Sequence, residues 1–260
     1  KKISDVDTSQ VFGGQRGVTG MICTTSVVDP IKGLIVRGRP IRDLSNNLCE
    51  EIIYLLITGE MPDKEAVAGL QQDIRRNAEV PDYVWKTLEA LPEDTHPMTS
   101  LSIGILAMQR ESNFKSQYDK GIAKTDYWQP ILDDAILLLG RVPTLAAGIY
   151  RMKFKKGPRI APDPTLDWGA NYAHMLGVSD DKTFMDYVRL YLVLHCDHEG
   201  GNVSAFANHV VSSALSDLFL STSAGLNGLA NQECLRYILG ILDHFGGVPT
   251  DEQLVQHAWD

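Results

Sequence analysis

The sequence lacks the features that mark several classes of protein. Its four cysteines, Cys23, Cys49, Cys196 and Cys234, lie far apart and none has CxxC spacing, which argues for a reducing compartment and against a disulfide or zinc framework. No apolar run approaches the length of a membrane span, and no signal-peptide pattern opens the chain. With 24 basic against 33 acidic residues, a net charge of -9 gives no basic field. We therefore expect neither a nucleic-acid nor a membrane partner.

Strand-like sequence is also scarce. Alternating apolar residues are confined to the segment before Arg39, where residues 21–28 and 34–36 flank a turn that contains Pro30 and Gly33. The rest of the chain has helical periodicity. The sequence therefore predicts an all-α fold with one short N-terminal β-hairpin as its only sheet.

Start and stop signals divide the helical part of the chain. Asn47 and Glu50 form a predicted capping box, and Gly59 ends the helix that follows. Pro81 and Pro97 stand in first-turn positions, where a missing N–H costs nothing. The proline-rich residues 155–164 are predicted to be a surface loop. The predicted helices cover residues 47–59, 63–77, 81–91, 97–110, 128–139, 143–151, 167–176, 180–194, 202–215 and 231–245.

Residues 187–205, YVRLYLVLHCDHEGGNVSA, concentrate the chemistry of the chain. Leu190, Val193 and Leu194 predict a buried helix face. Two glycines allow a close backbone approach, and Asn202 then opens a helix whose free N–H groups would face an anion. Four titratable side chains lie between the buried face and the glycines: His195, Asp197, His198 and Glu199.

A metal site is the alternative interpretation of the same segment. His195, Cys196, His198 and Glu199 are all possible ligands. Their order matches neither HExxH nor HxxEH, and no complementary Cys/His pair stands elsewhere in the sequence. We therefore expect no metal.

The segment HCDHEGGNVSA resembles the substrate-binding histidine motif of citrate synthases, in the form typical of the mitochondrial enzymes. The flanking sequence agrees, with SALSDLFLSTSAGLNGLA after it, LDWGANYAHMLG before it and RGRPI near the start. Such a match over nearly the whole chain is more specific than one short motif. The resemblance implies a citrate synthase-like large helical domain over residues 1–229, and residues 230–260 as the start of a small domain whose remainder is missing.

The resemblance also implies roles for individual residues. His198 would be the catalytic residue that binds oxaloacetate through hydrogen bonds, assisted by Asn202 and the neighbouring amides. His195 would orient these groups, with Asp197 and Glu199 as partners that fix the ring orientations.

Two basic residues elsewhere match positions that contact the phosphates of coenzyme A in the family. They are Arg16, in the glycine-rich turn FGGQRG, and Lys124, in GIAKTDYW. The turn alone is weak support, because it lacks the strand and helix context of a P-loop.

The implied activity is that of a transferase of the tricarboxylic acid cycle. Acetyl-CoA and oxaloacetate, with water, would give citrate and coenzyme A, with acetyl-CoA as co-substrate and no permanently bound cofactor. The resemblance further implies a homodimer in the mitochondrial matrix, or alternatively the bacterial cytoplasm. Small residues expected near its two-fold axis are Ala205, Ala207, Ser212, Ser213 and Ala214.

The chain departs from the family pattern at one junction. Where the family has NGLAGPLHGLANQE, Asn227–Ala230 joins Asn231 directly, so that the second catalytic histidine is absent. The third histidine, the catalytic aspartate and the substrate-binding arginines are absent as well. A capping box at Thr250 and Gln253 opens a helix that stops at Asp260. We expect a fragment, with a gap wider than the 3.8 Å of a trans peptide between Ala230 and Asn231.

Three functions remain open at this point. The first is a citrate synthase seen as an incomplete chain, and the second is a non-catalytic structural or assembly subunit of the same fold. The third is a 2-methylcitrate synthase that uses propionyl-CoA.

Overall fold

A computed structural model describes residues 22–197 and 202–228, together with Asp5, Asp7, Thr8 and Gln10. A small antiparallel sheet precedes a succession of helices, which confirms the predicted mainly helical fold. The strands are β1 (Ser26–Asp29), β2 (Gly33–Val36) and β3 (Arg39–Pro40). The helices are α1 (Ile41–Leu44), α2 (Cys49–Thr58), α3 (Lys64–Arg76), α4 (Asp82–Glu89), α5 (Pro97–Ala107), α6 (Asn113–Asp119), α7 (Trp128–Lys153), α8 (Trp168–Leu176), α9 (Lys182–Leu194), α10 (Val203–Ser213) and α11 (Leu218–Gly228). Two short 3-10 helices cover Met108–Glu111 and Lys124–Asp126.

The predicted hairpin is present, and a third strand extends it. Strands β1 and β2 pair antiparallel, with Asp29 opposite Gly33. The turn forms because the Asp29 side chain accepts hydrogen bonds from the backbone of Ile31 and Lys32, at 2.8 and 2.7 Å, while Gly33 takes a φ of 74°. Strand β3 was not predicted, because two residues are too few to show alternation.

Helix α2 starts one residue later than the sequence predicts. The N-cap is Leu48 rather than Asn47, and its backbone N–H donates to Oε2 of Glu51 at 2.6 Å. Glu51 therefore takes the role predicted for Glu50. Gly59 ends the helix in the left-handed conformation, as predicted.

Helix α7 corrects the prediction of two helices broken before Pro143. It runs without interruption for 26 residues with Pro143 inside it. A proline has no N–H to donate to the carbonyl four residues earlier, which here is that of Leu139. The indole Nε1 of Trp168 donates to this carbonyl at 2.7 Å. A residue from a distant helix thus replaces the missing hydrogen bond.

Helices α1, α6 and α11 lie outside the predicted helical ranges, and tertiary contacts explain α6 and α11. Helix α6 is held at its start by a buried side chain of α7. Helix α11 has a mixed sequence of small and apolar residues, and it packs on α5 and α10. Phe219 and Ser221 of α11 are fully buried. Neither stabilising contact leaves a local sequence pattern.

Two clusters of buried side chains form the core. The larger one lies mainly between α4, α5, α7, α8 and α11 and includes Val84, Ile105, Leu145, Leu176 and Phe219. The smaller one joins the sheet, α1 and α2 to the end of α9 and consists of Val36, Leu44, Cys49, Ile52, Leu55 and Val193. The last turn of α9 is therefore packed against the N-terminal part of the molecule.

Several predicted boundaries agree closely with the structure. The predicted helix 63–77 is α3, with Asp63 and Asn77 as its caps, and Asp167 caps α8. Pro97 occupies the first turn of α5, whereas Pro81 is the N-cap residue of α4. Predictions for residues 229–260, including the helix 231–245 and the Ala230–Asn231 gap, lie outside the described residues.

The described helices include none that is both long enough and apolar enough to cross a membrane.

Candidate functional site

The motif segment lies between two helices. Helix α9 ends at Leu194 with His195 as its C-cap, and α10 begins after the N-cap Asn202. His195 therefore closes α9, and Asn202 opens α10. His198, the principal predicted site residue, lies outside the described residues, as does Arg16.

The ring of His195 has a defined orientation. Its Nδ1 lies 2.8 Å from the backbone carbonyl of Tyr191, and the imidazole stacks on the Tyr191 ring with centroids 4.1 Å apart. A carbonyl oxygen can only accept, so Nδ1 carries the proton of this hydrogen bond. In the neutral ring Nε2 is then the acceptor. This arrangement fits the predicted orienting role better than direct proton donation through Nδ1.

The predicted buried face of α9 is only partly correct. Val193 is fully buried in the smaller core cluster, but Leu194 is 40% exposed and Leu190 is half-buried. Consecutive helical residues point about 100° apart. The core formed by the sheet and α2 therefore covers the side of α9 that carries Val193. It does not cover the side that carries Leu194.

The start of α10 differs from the sequence prediction of free amides. Oδ1 of Asn202 accepts hydrogen bonds from the backbone N–H groups of Ser204 and Ala205, at 2.9 and 3.4 Å. These amides are therefore satisfied by the cap of their own helix and are not open to an anion. The part of Asn202 that this cap leaves available is its side-chain NH₂ group.

Ser204 adds a polar group at the start of α10. Its Oγ is buried and has no hydrogen-bond partner among the described residues. A buried hydroxyl without a partner is uncommon in folded proteins. The only signal in the sequence was its place in the GGNVSA motif.

An ion pair fixes helix α9 relative to α8. Arg189 donates from Nε to both carboxylate oxygens of Asp167, at 2.9 and 3.0 Å, and from Nη2 at 2.5 Å. Asp167 also caps α8 by accepting from Ala170 N at 3.0 Å. Burial would raise the pKa of Asp167, but the hydrogen bonds from Arg189 and Ala170 outweigh it and hold the pKa below its ordinary value.

Glu50 connects α2 to two further helices. Its Oε1 accepts from the backbone N of Trp168 at 2.8 Å and from Nε2 of Gln71 at 3.0 Å. Its Oε2 is buried and has no partner. Burial raises the pKa of Glu50, although these two hydrogen bonds oppose the rise. The carboxyl group also lies at the start of α8, where the helix dipole favours an anion.

Lys124 lies in a separate part of the structure. It is exposed and opens the 3-10 helix Lys124–Asp126, which packs against the start of α7. Nearby, the rings of Phe114, Tyr118 and Tyr127 form a cluster with centroids 5.4 to 5.9 Å apart. This cluster fixes the backbone on either side of Lys124 and leaves the ammonium group in solvent.

A buried carboxylate, that of Asp134, stabilises the same region through hydrogen bonds. Asp134 of α7 is 0% exposed and accepts from Ser112 Oγ and Asn113 N, both at 2.6 Å, and from Phe114 N at 3.3 Å. Burial raises the pKa of Asp134, and these three hydrogen bonds oppose the rise. The aspartate therefore acts as a distant cap for α6.

Among the described residues, no group of three or more His, Cys, Asp or Glu side chains could hold a metal ion. Cys23, Cys49 and Cys196 are free thiols. Burial raises the pKa of Cys49 to about 12 and that of Cys196 to about 11, so neither is a thiolate at neutral pH.

The comparisons with known proteins agree on one protein family. The family described as citrate synthase, C-terminal domain, matches residues 14–243. A mitochondrial citrate synthase of Daucus carota is 42% identical over 275 residues, covering 99% of this chain and 58% of that protein. A peroxisomal citrate synthase of Saccharomyces cerevisiae is 41% identical and covers 100% and 60%, respectively. A mitochondrial 2-methylcitrate synthase of Yarrowia lipolytica is also 41% identical, with 99% and 59% covered.

Solved structures show the same fold. The citrate synthase of Pyrobaculum aerophilum has a TM-score of 0.76 at 28% identity, over 84% of this chain and 54% of that one. The citrate synthase of Thermoplasma acidophilum, in a ternary complex with carboxymethyl coenzyme A and oxaloacetate, has a TM-score of 0.72 at 22% identity, over 84% and 55%. At that identity the second match supports the fold alone.

The lengths of the matches are informative. The chain spans about 58% of the carrot protein that it matches. The 275 aligned positions also exceed the 260 residues of this chain, so that the relative has internal residues with no counterpart here. A chain that lacks a loop would give such an alignment.

Proposed function

Because the chain belongs to the citrate synthase family, we propose that the protein translated from the complete reading frame condenses acetyl-CoA with oxaloacetate and water, giving citrate and coenzyme A. The observation that carries the proposal is the arrangement around the motif HCDHEGGN. Its first residue, His195, has a defined orientation at the end of α9, and its last residue, Asn202, caps the start of α10. Helix ends are more rigid supports for binding residues than loops are.

In this proposal, His198 binds the oxaloacetate carbonyl or carboxylate and is the catalytic residue on this chain. His195 orients the segment through its hydrogen bond to Tyr191. The side-chain NH₂ of Asn202 is directed to the substrate, since its oxygen is committed to the cap of α10. The buried Oγ of Ser204 is an additional donor for the same site.

The proposed co-substrate is acetyl-CoA, with no permanently bound cofactor and no metal. The Thermoplasma acidophilum relative was solved with a coenzyme A analogue and oxaloacetate, which supports these two ligands. Lys124 and Arg16 are the proposed contacts of the coenzyme A phosphates. Lys124 suits this role because it is a solvent-exposed cation on a braced segment.

The residues proposed so far do not supply the whole reaction. The abstraction of a proton from the acetyl methyl group needs a base and a donor for the developing enolate. By resemblance these groups belong to the small domain and to a GPLHG loop, for which the sequence has no counterpart at Ala230–Asn231. A non-catalytic assembly subunit is the alternative if that loop is absent from the gene.

A 2-methylcitrate synthase is a second candidate, and one observation favours it. The relative from Yarrowia lipolytica with that name is as similar as several relatives named citrate synthase. The two activities differ by one methylene group in the acyl chain. Hydrophobic pockets discriminate such a difference by only about 1–3 kcal/mol.

We further propose that the protein forms a homodimer through α10. Within the described chain this helix has no fully buried residue. Val203, Phe206 and Val210 are 60%, 37% and 51% exposed and share one face through their spacing. The small residues predicted near the two-fold axis lie on the same helix or directly after it: Ala205, Ala207, Ser212, Ser213 and Ala214.

The proposed location is the mitochondrial matrix, where the reaction would feed the tricarboxylic acid cycle. Several relatives are named mitochondrial, although one is named peroxisomal. The bacterial cytoplasm remains the alternative.

The experiment that tests these assignments is a titration of the complete protein with oxaloacetate, followed by calorimetry, together with the variants His198→Ala and His174→Ala. One lost hydrogen bond in a closed site costs about 1–3 kcal/mol. His198→Ala should therefore weaken binding by about tenfold or more, whereas His174→Ala, a change in α8, should bind normally. Equal affinities in all three proteins would remove His198 from the site.

A further inference from the structure

A cavity of about 520 Å³ opens on the side of α3. It lies between α3, the middle of α7, the start of α8 and the loop of residues 158–166. Neither His195, Asn202 nor Lys124 lines it. Clefts of roughly 300–1,000 Å³ are the size that takes small organic ligands.

The walls of this cavity are apolar and stiff. Ile74, Pro143, Leu166 and Met175 contribute aliphatic or thioether surface. The indoles of Trp85 and Trp168 also line it, and both N–H groups already donate to backbone carbonyls. These indoles therefore offer carbon faces rather than hydrogen bonds.

The polar end of the cavity is Glu50. Gln71, which hydrogen-bonds to Glu50, lies one turn before Arg75 on α3, about 6 Å along the helix at 1.5 Å per residue. The lining continues past the end of this helix through Ala78, Val80 and Trp85. The cavity is thus long enough for a ligand with a polar head at Glu50 and an apolar body that extends toward Trp85.

Glu50 has a buried oxygen without a hydrogen-bond partner, which a carboxylate with a purely structural role would not be expected to have. Its side chain is 1% exposed, and Oε2 has no hydrogen-bond partner. The two arginines that line the same cavity have partners of their own, since Arg75 donates to Leu166 O and Arg159 pairs with Glu89 and lies over Trp85. A cationic head group is the chemistry that would satisfy Glu50.

We propose that this cavity is a binding site for a primary organic ammonium ion with an apolar or aromatic body, its nitrogen paired with Glu50. An ammonium donates up to three hydrogen bonds and balances the charge of the carboxylate. The indole carbons of Trp168, and those of Trp85 that Arg159 leaves uncovered, suit an aromatic body. The site is independent of the proposed condensation. A failed amine titration would therefore not count against the proposed enzymatic function, and a failed condensation assay would not count against the amine site.

The test is a titration of the complete protein with 2-phenylethylamine, followed by calorimetry and thermal unfolding. The matched neutral probe is 2-phenylethanol. The amine should bind and raise the unfolding temperature, while the alcohol should bind at least about tenfold more weakly. No amine binding at about 10 mM, or equal binding of both probes, would overturn the proposal.

Three variants locate the site. Glu50→Gln removes the charge with little change in shape and should weaken amine binding by about tenfold or more. Glu60→Gln removes an exposed charge that does not line the cavity and should leave binding unchanged. Ala78→Phe fills the cavity and should abolish binding even if Glu50→Gln fails to fold. Normal binding by either cavity variant would place the amine elsewhere and overturn the proposal.

Discussion

Two buried carboxylates, Asp134 and Glu50, each accept hydrogen bonds from the start of another helix, but they differ in how many of their oxygens are hydrogen-bonded. Each reaches from its own helix to the start of another, Asp134 to α6 and Glu50 to α8. Both oxygens of Asp134 accept hydrogen bonds, whereas Oε2 of Glu50 has none. A buried polar atom without a partner costs stability. The comparison indicates that the hydrogen bonds of Asp134 fully stabilise the region around it. The unpaired Oε2 of Glu50, in contrast, lowers the stability of the region next to the open cavity.

The largest expected effect is at Asp134. Asp134→Ala would remove the acceptor of Ser112 Oγ and of the backbone N–H groups of Asn113 and Phe114, and should destabilise the fold by about 3–5 kcal/mol. Urea unfolding followed by circular dichroism measures the change. Asp134→Asn keeps the shape and one acceptor oxygen, so that its cost should be clearly smaller. Equal costs for the two variants would show that shape, and not hydrogen bonding, matters here.

The next effect concerns the ion pair beside Glu50. Arg189→Met should cost about 2 kcal/mol near neutral pH, because Asp167 would lose its charge-assisted hydrogen bonds.

The same ion pair has a defined pH dependence. The pKa of Asp167 is lowered by folding, so its contribution is present above the unfolded pKa and is lost as the pH falls through the folded one. Wild type and Arg189→Met should therefore converge in stability at strongly acidic pH. A difference that stays constant down to that pH would contradict the assignment.

A smaller effect is expected at the wall of the cavity. Trp168→Phe removes the donor to Leu139 O and should cost about 1–2 kcal/mol. Pro143→Ala restores a backbone N–H for that carbonyl. The double variant should therefore lose less stability than the sum of the single changes, as a double-mutant cycle measures. Strict additivity would mean that Trp168 does not replace the missing hydrogen bond.

The smallest effect is expected at Glu50. Glu50→Gln should change stability by less than about 1 kcal/mol at neutral pH, because it removes a buried charge and keeps an oxygen that can accept from Trp168 N and Gln71 Nε2. Folding raises the pKa of Glu50, so wild type should lose stability relative to the variant as the pH rises above the unfolded pKa. Unfolding curves from pH 4 to 8 test this sign, which is opposite to that of Asp167. A relative gain with rising pH would contradict it.

The parts of the fold that depend on neighbouring residues were predictable from sequence. Asp63, Gly59, Asp167 and Asn202 are caps with local signals, and the structure places each as a cap. The hairpin was predictable because its turn depends on Asp29 and the residues directly after it.

The parts that depend on distant residues were not predictable. Helix α7 continues through Pro143 because Trp168 satisfies Leu139 from another helix. Helix α6 depends on Asp134, and the exposure of Leu194 depends on which side of α9 the sheet covers. The motif predicted that Asn202 opens a helix, but only the geometry shows that Asn202 uses its oxygen to cap that helix.

The most direct test of the account is the detection of citrate from the complete protein, incubated with oxaloacetate and isotope-labelled acetyl-CoA. Propionyl-CoA serves as the competing substrate in a parallel reaction. We expect labelled citrate, with one coenzyme A released per molecule formed and slower turnover of propionyl-CoA. Faster turnover of propionyl-CoA would make the protein a 2-methylcitrate synthase. The absence of any condensation product from folded protein that binds oxaloacetate would contradict the enzymatic proposal and support the non-catalytic subunit.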